Sequence, residues 1–441
     1  MQKSAPAVKV AVLGAGTVGT EVLRLLREQR TDLAERVGAP LELIGISVRD
    51  PQRDRGPHVD RNLLTDAPHR LVREADLVIE LMGGIEPART LLLEAMAAGA
   101  SVVTANKALL AAKGPELYEA ADQHGVDLHF EAAVGGAIPI VRPVRESLAG
   151  DSIRRVLGIL NGTTNYMLDA MTRTGADYAD ALASAQRLGY AEADPTADVE
   201  GHDAAAKAAI LASLAFHSRV GLDDVSCEGI SAITAQDIAA AKRMGRTIKL
   251  LSVVERIEQD GTEAISARVH PVLVPDDHPL ASVAEAYNAV FVEADAAGSL
   301  MFYGQGAGGA PTASAVLGDA VTAARQRVAG GVGPRESRYA ALATVPISAL
   351  SSEFYLALLV RDEPGVLAAV AGVLSAHGIS ISTIHQEPGL SAPDSNDAAQ
   401  AARVAITTHR ASEAAMAAAL EELRASANVH RVESLLRMEG E

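Results

Sequence analysis

The stretch from Val8 to Gln29 leaves this chain few folds to choose from. Val8–Leu13 is a short run rich in β-branched residues, the pattern of a strand buried on both faces. It leads straight into Gly14-Ala15-Gly16-Thr17-Val18-Gly19, after which Val22, Leu23, Leu25 and Leu26 fall at helical spacing within Thr20–Gln29. Alone, G-x-G-x-x-G is a weak signal; between a strand and a helix it points to a dinucleotide-binding β-α unit. Gly14 would make the tight turn, Gly16 would let the backbone approach a pyrophosphate, and Gly19 would allow the helix to pack closely. Thr17 and Val18 then lie where a helix start offers its amides to phosphate. An α/β architecture with a Rossmann-like sheet follows.

Leu41–Val48 reads as the second strand of that sheet, ending beside the expected adenosine ribose. There an acidic residue suits the 2′-OH of NAD, and an arginine suits a 2′-phosphate. Arg49 is the first charge past the strand, with Arg53 and Arg55 close behind, so NADP(H) is the expected cofactor; Asp50 keeps NAD(H) in play. Leu77–Leu81 and Ser101–Thr104 read as further buried strands around a helix, Pro87–Ala98. Gly83 and Gly84 end one of these strands, and Asn106-Lys107 follows the other, at the sheet edge where open α/β sheets bind ligands. Lys107 is either a site residue or an ordinary lysine at a helix start. Asp127–Glu131 is another strand and runs into a glycine-rich turn, Ala132 to Pro139, whose carbonyls lack regular partners and suit a hard monovalent cation; a plain turn explains it equally well.

A second constraint lies between Leu188 and Lys207. Glu192, Asp194, Asp198, Glu200, Asp203 and Lys207 crowd into one loop and the first turn of the next helix. Pro195 keeps Asp194 out of the α region, so Gly189–Gly201 reads as ordered but irregular. The Ala-rich run after Gly201 starts a helix of about 203–216. Asp203 falls in its first turn, where the helix dipole favours a carboxylate, and Lys207 lies four residues on, on the same face. The pair is either a surface ion bridge or part of a site that holds an ammonium substrate beside a proton donor.

The chain has 441 residues, too many for one core, so two or three domains are expected. A formal charge of −17 argues against a nucleic-acid or anionic-membrane partner. The single cysteine, Cys227, excludes an internal disulfide and has Asp223, Asp224 and Glu228 as neighbours, which would raise a thiol pKa rather than activate it. With no signal-peptide layout at the start and no apolar run near the roughly 20 residues of a membrane span, a cytoplasmic protein is expected. The histidines show no tight metal-ligand spacing.

After Ile153–Leu160, a β-like run, Asn161-Gly162-Thr163-Thr164-Asn165 opens a helix, and Thr247–Arg256 with Ala264–Val274 implies a second sheet. Another glycine turn, Gly304 to Pro311, leads into an Ala-rich helix without the spacing of a second dinucleotide unit. Ala329–Pro334 is the clearest linker. From Ser352 onward a strand, a helix Val366–His377, strands Ile379–Gln386 and Arg403–Thr408, a helix Ala411–Ala425 and a strand Val429–Arg437 form the βαββαβ order of a ferredoxin-like domain, with a long polar loop at Glu387–Gln400. The expected division is a dinucleotide-binding domain at 1–150 with a return helix at 311–328, an α+β substrate and dimerisation domain at 151–310, a linker at 329–350 and a last domain at 351–441.

Ala185, Gly189, Tyr190, Asp194, Pro195, Asp198, Gly201, Asp203 and Lys207 together resemble the signature of homoserine dehydrogenases. Asp362-Glu363-Pro364-Gly365-Val366-Leu367 with Ile379 to Gln386 resembles an ACT domain, a module that commonly pairs through its sheet and binds amino acids. The resemblance runs through all three domains and implies NAD(P)H-dependent reduction of L-aspartate 4-semialdehyde to L-homoserine, in threonine, methionine and isoleucine biosynthesis. It further implies that Lys207 is the proton donor, that Lys107 faces nicotinamide and substrate, that Glu192 and Asp203 hold the substrate ammonium, and that Asp198 supports Lys207. By the same resemblance Gly189, Gly306 and Gly308 approach the cofactor, and Na⁺ or K⁺ sits on Glu131, Val134, Gly136 and Ile138, largely on main-chain oxygens. A homo-oligomer, dimer or tetramer, and an amino-acid effector, threonine, at the ACT domain are also implied. With so little chain before Val8, a fused kinase is not expected. The competing reading is a non-catalytic NADPH-binding amino-acid sensor.

Overall fold

A computed structural model describes residues 6–440 apart from 260 and 392–399. Six parallel strands, β1 (Val8–Leu13), β2 (Leu41–Ser47), β3 (Leu64–Thr65), β4 (Leu77–Glu80), β5 (Ser101–Thr104) and β6 (Leu128–His129), form the first sheet in the order 3-2-1-4-5-6. The reversal of strand order between β1 and β4 is the switch point at which such sheets bind a nucleotide. Nearly every residue of β1, β4 and β5 is buried, which explains why these segments read as continuous apolar runs instead of alternating ones.

One face of this sheet is completed from far along the chain. Helix Gly309–Val328 places Ala313, Val316, Leu317, Ala320 and Ala324 in the same core as Val10, Val12, Val22 and Ile79. Its small side chains let it lie close to helix Thr17–Glu28.

The second sheet is mixed. Strand Ile153–Ile159 lies between Tyr287–Ala294 and Arg246–Gln259, and the latter forms a long antiparallel pair with Thr262–Pro275. Helix His202–Ala215, buried almost throughout, packs on one face through Ala205, Ala208 and Leu211. The hairpin Tyr287–Ala294/Gly298–Gln305 is absent from the sequence reading, although YNAVFVEA carries strand composition.

The C-terminal strands Ser351–Arg361, Ile381–Ser391, Gln400–Thr408 and Val429–Met438 run antiparallel beside helices Val366–Ala376 and Glu413–Ala425, a ferredoxin-like unit with its own core around Phe354, Leu356, Val404 and Leu420. The polar loop expected at Glu387–Gln400 is shorter than its composition suggests: residues 387–391 and Gln400 belong to strands, and 392–399 lie outside the described residues. This unit does not stand apart. Arg437 and Met438 pair in parallel with Val272 and Leu273, joining the last strand to the middle sheet. The segment read as a linker is stitched down too, for Ala343–Thr344 pairs with Ala264–Ile265 and the Gly333 amide donates to Asp127. Among the described residues no helix is long and apolar enough to cross a membrane.

Candidate active site

The glycine loop is built as its spacing requires. Gly14 has φ +103°, a left-handed conformation, and a Cβ there would come within 2.6 Å of the Leu81 carbonyl. A Cβ on Gly19 would overlap the Gly14 carbonyl, so the helix can approach its turn only with glycine there. At Gly16 a side chain would meet nothing within 4 Å; the residue caps helix Thr17–Glu28 without a side-chain hydrogen bond, leaving the first-turn amides free for an anionic group. These features fit a dinucleotide pyrophosphate. At the end of β2, Arg49 is exposed, while the Asp50 carboxylate accepts from the Gln52 amide at 2.9 Å and is thereby drawn into its own turn.

The second glycine turn lies against the first. Gly308, at φ +125°, caps helix Gly309–Val328, and a Cβ on Gly309 would touch Thr17 at 3.2 Å. Gly306 lies so near Gly136 that a Cβ on the latter would overlap the Gly306 carbonyl. The turns thus meet beside the dinucleotide loop.

Strands β4 and β5 deliver Lys107. Glu80, wholly buried, accepts from the amides of Met82 at 2.7 Å and Gly83 at 3.1 Å and from the Thr104 hydroxyl at 2.6 Å, tying the two strand ends together. Asn106 caps helix Lys107–His124 through the Leu109 amide and donates to the Gly84 carbonyl at 2.6 Å. With the cap fixed on both sides, Lys107 projects from the carboxyl edge of the sheet.

Its partner comes from the other domain. Lys107 is in contact with Asp203 Oδ1, while Lys207 Nζ lies 2.8 Å from Asp203 Oδ2 and donates to the Leu160 carbonyl at 2.6 Å. Lys207 is buried and Lys107 is half exposed. Burial disfavours the Asp203 carboxylate, but the two ammonium groups outweigh it and hold its pKa far below the ordinary aspartate value. Asn161 donates to Asp203 at 3.1 Å and to Asp198 at 2.7 Å while capping helix Gly162–Thr174. Asp198 was expected to support Lys207; its carboxylate accepts from Asn161, which also donates to Asp203, the partner of Lys207. Residues 196–199 form one helical turn within the segment read as irregular, starting after Pro195, whose ring fits only such a start. Glu192 is exposed in the bend between Gly189, at φ +78°, and that turn.

Asn161, singled out in the sequence only as part of the N-G-T-T-N string at a helix start, joins the two acids; Lys249 escaped the sequence reading. Lys249, fully buried, donates to the Asn165 side chain at 3.0 Å and to the Val283 carbonyl, and burial lowers its pKa to about 8. A charge inside the mostly apolar Thr247–Val254 was the available signal.

At the expected cation turn, Glu131 spends its carboxylate on the amides of Ile140, Val141 and Arg142, at 2.6, 2.7 and 3.0 Å. Only its main-chain oxygen is left to join those of Val134, Gly136 and Ile138. Cys227 is exposed, and desolvation of its sulfur, followed by Glu200 and Glu228, pushes its thiol pKa up, the wrong direction for a nucleophile.

A dinucleotide loop, together with a lysine–aspartate–lysine cluster that joins the nucleotide domain to the middle one, suits a nicotinamide-dependent oxidoreductase. Residues 14–131 match the model of the homoserine dehydrogenase NAD-binding domain, 139–321 that of homoserine dehydrogenase, and 354–428 that of the ACT domain. Homoserine dehydrogenases of Mycobacterium tuberculosis and Corynebacterium glutamicum are each 55% identical, over 98% of this chain and 98% and 96% of theirs. The solved homoserine dehydrogenase of Thiobacillus denitrificans superposes with a TM-score of 0.91 at 38% identity, covering 99% of both chains. A hyperthermophilic archaeal homoserine dehydrogenase solved in complex with NADPH aligns at 26% identity and a TM-score of 0.62, over 75% of this chain and 99% of that one. The chain belongs to the homoserine dehydrogenase family.

Proposed function

We propose that the chain reduces L-aspartate 4-semialdehyde to L-homoserine with NADPH, and that Lys207 gives the proton to the aldehyde oxygen. The observation that carries the proposal is Asp203, bridging Lys107 from the nucleotide domain and Lys207 from the middle domain. When bound, the reduced nicotinamide supplies the hydride. Lys207 is placed to act as the acid: it pairs with Asp203 and is aimed by the Leu160 carbonyl, so one proton can go to the oxygen as the carbonyl is reduced. Lys107, more open, binds the substrate carboxylate or shares the proton. Glu192 binds the substrate ammonium; Asp203 adds negative charge at that site while committed to its lysines, and Asp198 supports the site through Asn161. Thr17, Val18 and the turns at Gly189, Gly306 and Gly308 lie along the cofactor.

Arg49 and the engaged Asp50 favour NADP(H) over NAD(H). Main-chain oxygens of Glu131, Val134, Gly136 and Ile138 hold Na⁺ or K⁺. The protein works in the cytoplasm as a homo-oligomer, dimer or tetramer, with threonine acting through the ACT domain. The test is reduced-nicotinamide absorbance during homoserine oxidation with NADP and with NAD, for the wild type and Lys207→Ala. The variant should lose about a hundredfold or more in kcat, the usual scale of acid–base catalysis, and the wild type should show the higher kcat/KM with NADP. Near-normal kcat in Lys207→Ala would remove this lysine from the mechanism, and no turnover by the wild type would leave the amino-acid sensor.

A further inference from the structure

Lys249 lies in strand Arg246–Gln259, opposite Val272, and is 1% exposed. It forms no ion pair among the described residues; its ammonium donates to the Asn165 side-chain oxygen and to the Val283 carbonyl. Burying a charge against neutral partners is costly, and an apolar side chain would fill the same strand position without that cost. What the ammonium adds is direction. A charged lysine can only donate, so the oxygen of the Asn165 amide must face it and the nitrogen must face away. Burial lowers the lysine pKa only to about 8, which keeps the donor charged at neutral pH.

So turned, the Asn165 Nδ2 donates into a single loop, to the carbonyls of Val283 at 3.2 Å, Glu285 at 2.9 Å and Tyr287 at 3.2 Å. A flipped amide would set an oxygen against all three. The loop needs this grip, because Glu285 has φ +55°, a left-handed conformation that a residue other than glycine keeps only where its surroundings hold it. The Glu285 amide also donates to Asp169 at 2.9 Å, one turn beyond Asn165 on helix Gly162–Thr174. At its other end that helix rests on the loop: a Cβ on Gly162 would come within 2.7 Å of the Ala286 carbonyl oxygen. Immediately before Gly162 stands Asn161, which donates to Asp203 and Asp198.

We propose that Lys249 is a positioning residue for the dehydrogenase reaction: by orienting the Asn165 amide it fixes loop Val283–Tyr287 beneath Gly162, and through that seat the placement of Asn161 against Asp203. Lys249 donates to none of the lysine–aspartate–lysine cluster, so its influence travels through the helix start. The inference rests on the reading above, in which Asp203 and its two lysines serve the chemistry.

The test is steady-state homoserine oxidation by the full-length protein as wild type, Lys249→Met, Asn161→Ala and the double variant, with thermal melts recorded alongside. Lys249→Met should lower kcat about tenfold, the scale of a displaced positioning group, while the KM for NADP stays within about twofold of wild type. In the Asn161→Ala background the same substitution should cost less than about threefold, because its route to Asp203 is already cut. If Lys249→Met does not fold, Lys249→Gln, which keeps a donor, enters the same cycle with the same expected outcomes. Equal losses in both backgrounds, a wild-type kcat in the single variant, or a KM for NADP that rises in step with the fall in kcat would each overturn the positioning role and leave Lys207 and Asp203 in the mechanism. No homoserine turnover by the wild type overturns both readings.

Discussion

Asp203 and Asp319 are both buried aspartates paired with basic side chains, yet their carboxyls move in opposite directions. Asp203 sits between two ammonium groups and is pulled down. Asp319, on helix Gly309–Val328, accepts from the Glu131 amide at 2.7 Å and shares Arg142, at 2.9 Å, with the buried Glu131 carboxylate; burial and that second carboxylate push it up to about 7. What separates them is the local count of charges: two cations for one acid, against one cation for two acids. Desolvation is common to both and decides neither alone.

The comparison breaks most sharply at Asp203→Asn, which leaves two cations facing a neutral amide. It should cost about a hundredfold in kcat, because Lys207 loses the carboxylate that pairs with it and aims it. A loss below threefold would show that the bridge is a structural ion pair. The pH dependence of stability sharpens the contrast next. Asp203, with its folded pKa lowered, contributes stability above about pH 4 that is lost as the pH falls through its folded pKa. Asp319, with its pKa raised, contributes stability that is fully present below about pH 4 and lost as the pH rises through 7. Asp319→Asn should therefore flatten the fall in denaturant stability between pH 4 and 7 by roughly 2 kcal/mol, part of the ~1.4 kcal/mol per pH unit available to a shifted group. An unchanged slope would mean that Asp319 titrates normally. The smallest effect is expected from Lys107→Met. Asp203 keeps Lys207, so kcat should fall by only about tenfold and the substrate KM should rise; a loss equal to that of Lys207→Ala would make Lys107 the main acid.

Much of this was legible beforehand. The strand-glycine-helix run at Val8–Glu28 specified its sheet because local geometry allows no other use of Gly14 and Gly19. Lys207 and Asp203 were readable as a pair because helical spacing fixes i and i+4. Lys107 beside Asp203 was not: they are far apart in sequence, and only packing between domains sets their distance. The contact of Asp198 with Asn161 was not legible either, since it depends on the loop's single helical turn, invisible in composition. The seam between the last strand and Val272–Leu273 also left no trace, as two ladder pairs make no pattern in either segment.

Helix Gly309–Val328 makes the nucleotide domain discontinuous along the chain. During synthesis at about 5–20 residues per second, the sheet must wait for roughly 180 further residues, on the order of 10–35 s, before its missing face leaves the ribosome. Through that interval Val10, Val12 and Ile79 lack the cover of Val316 and Ala320, and a fragment ending near residue 150 would inherit the same bare surface permanently.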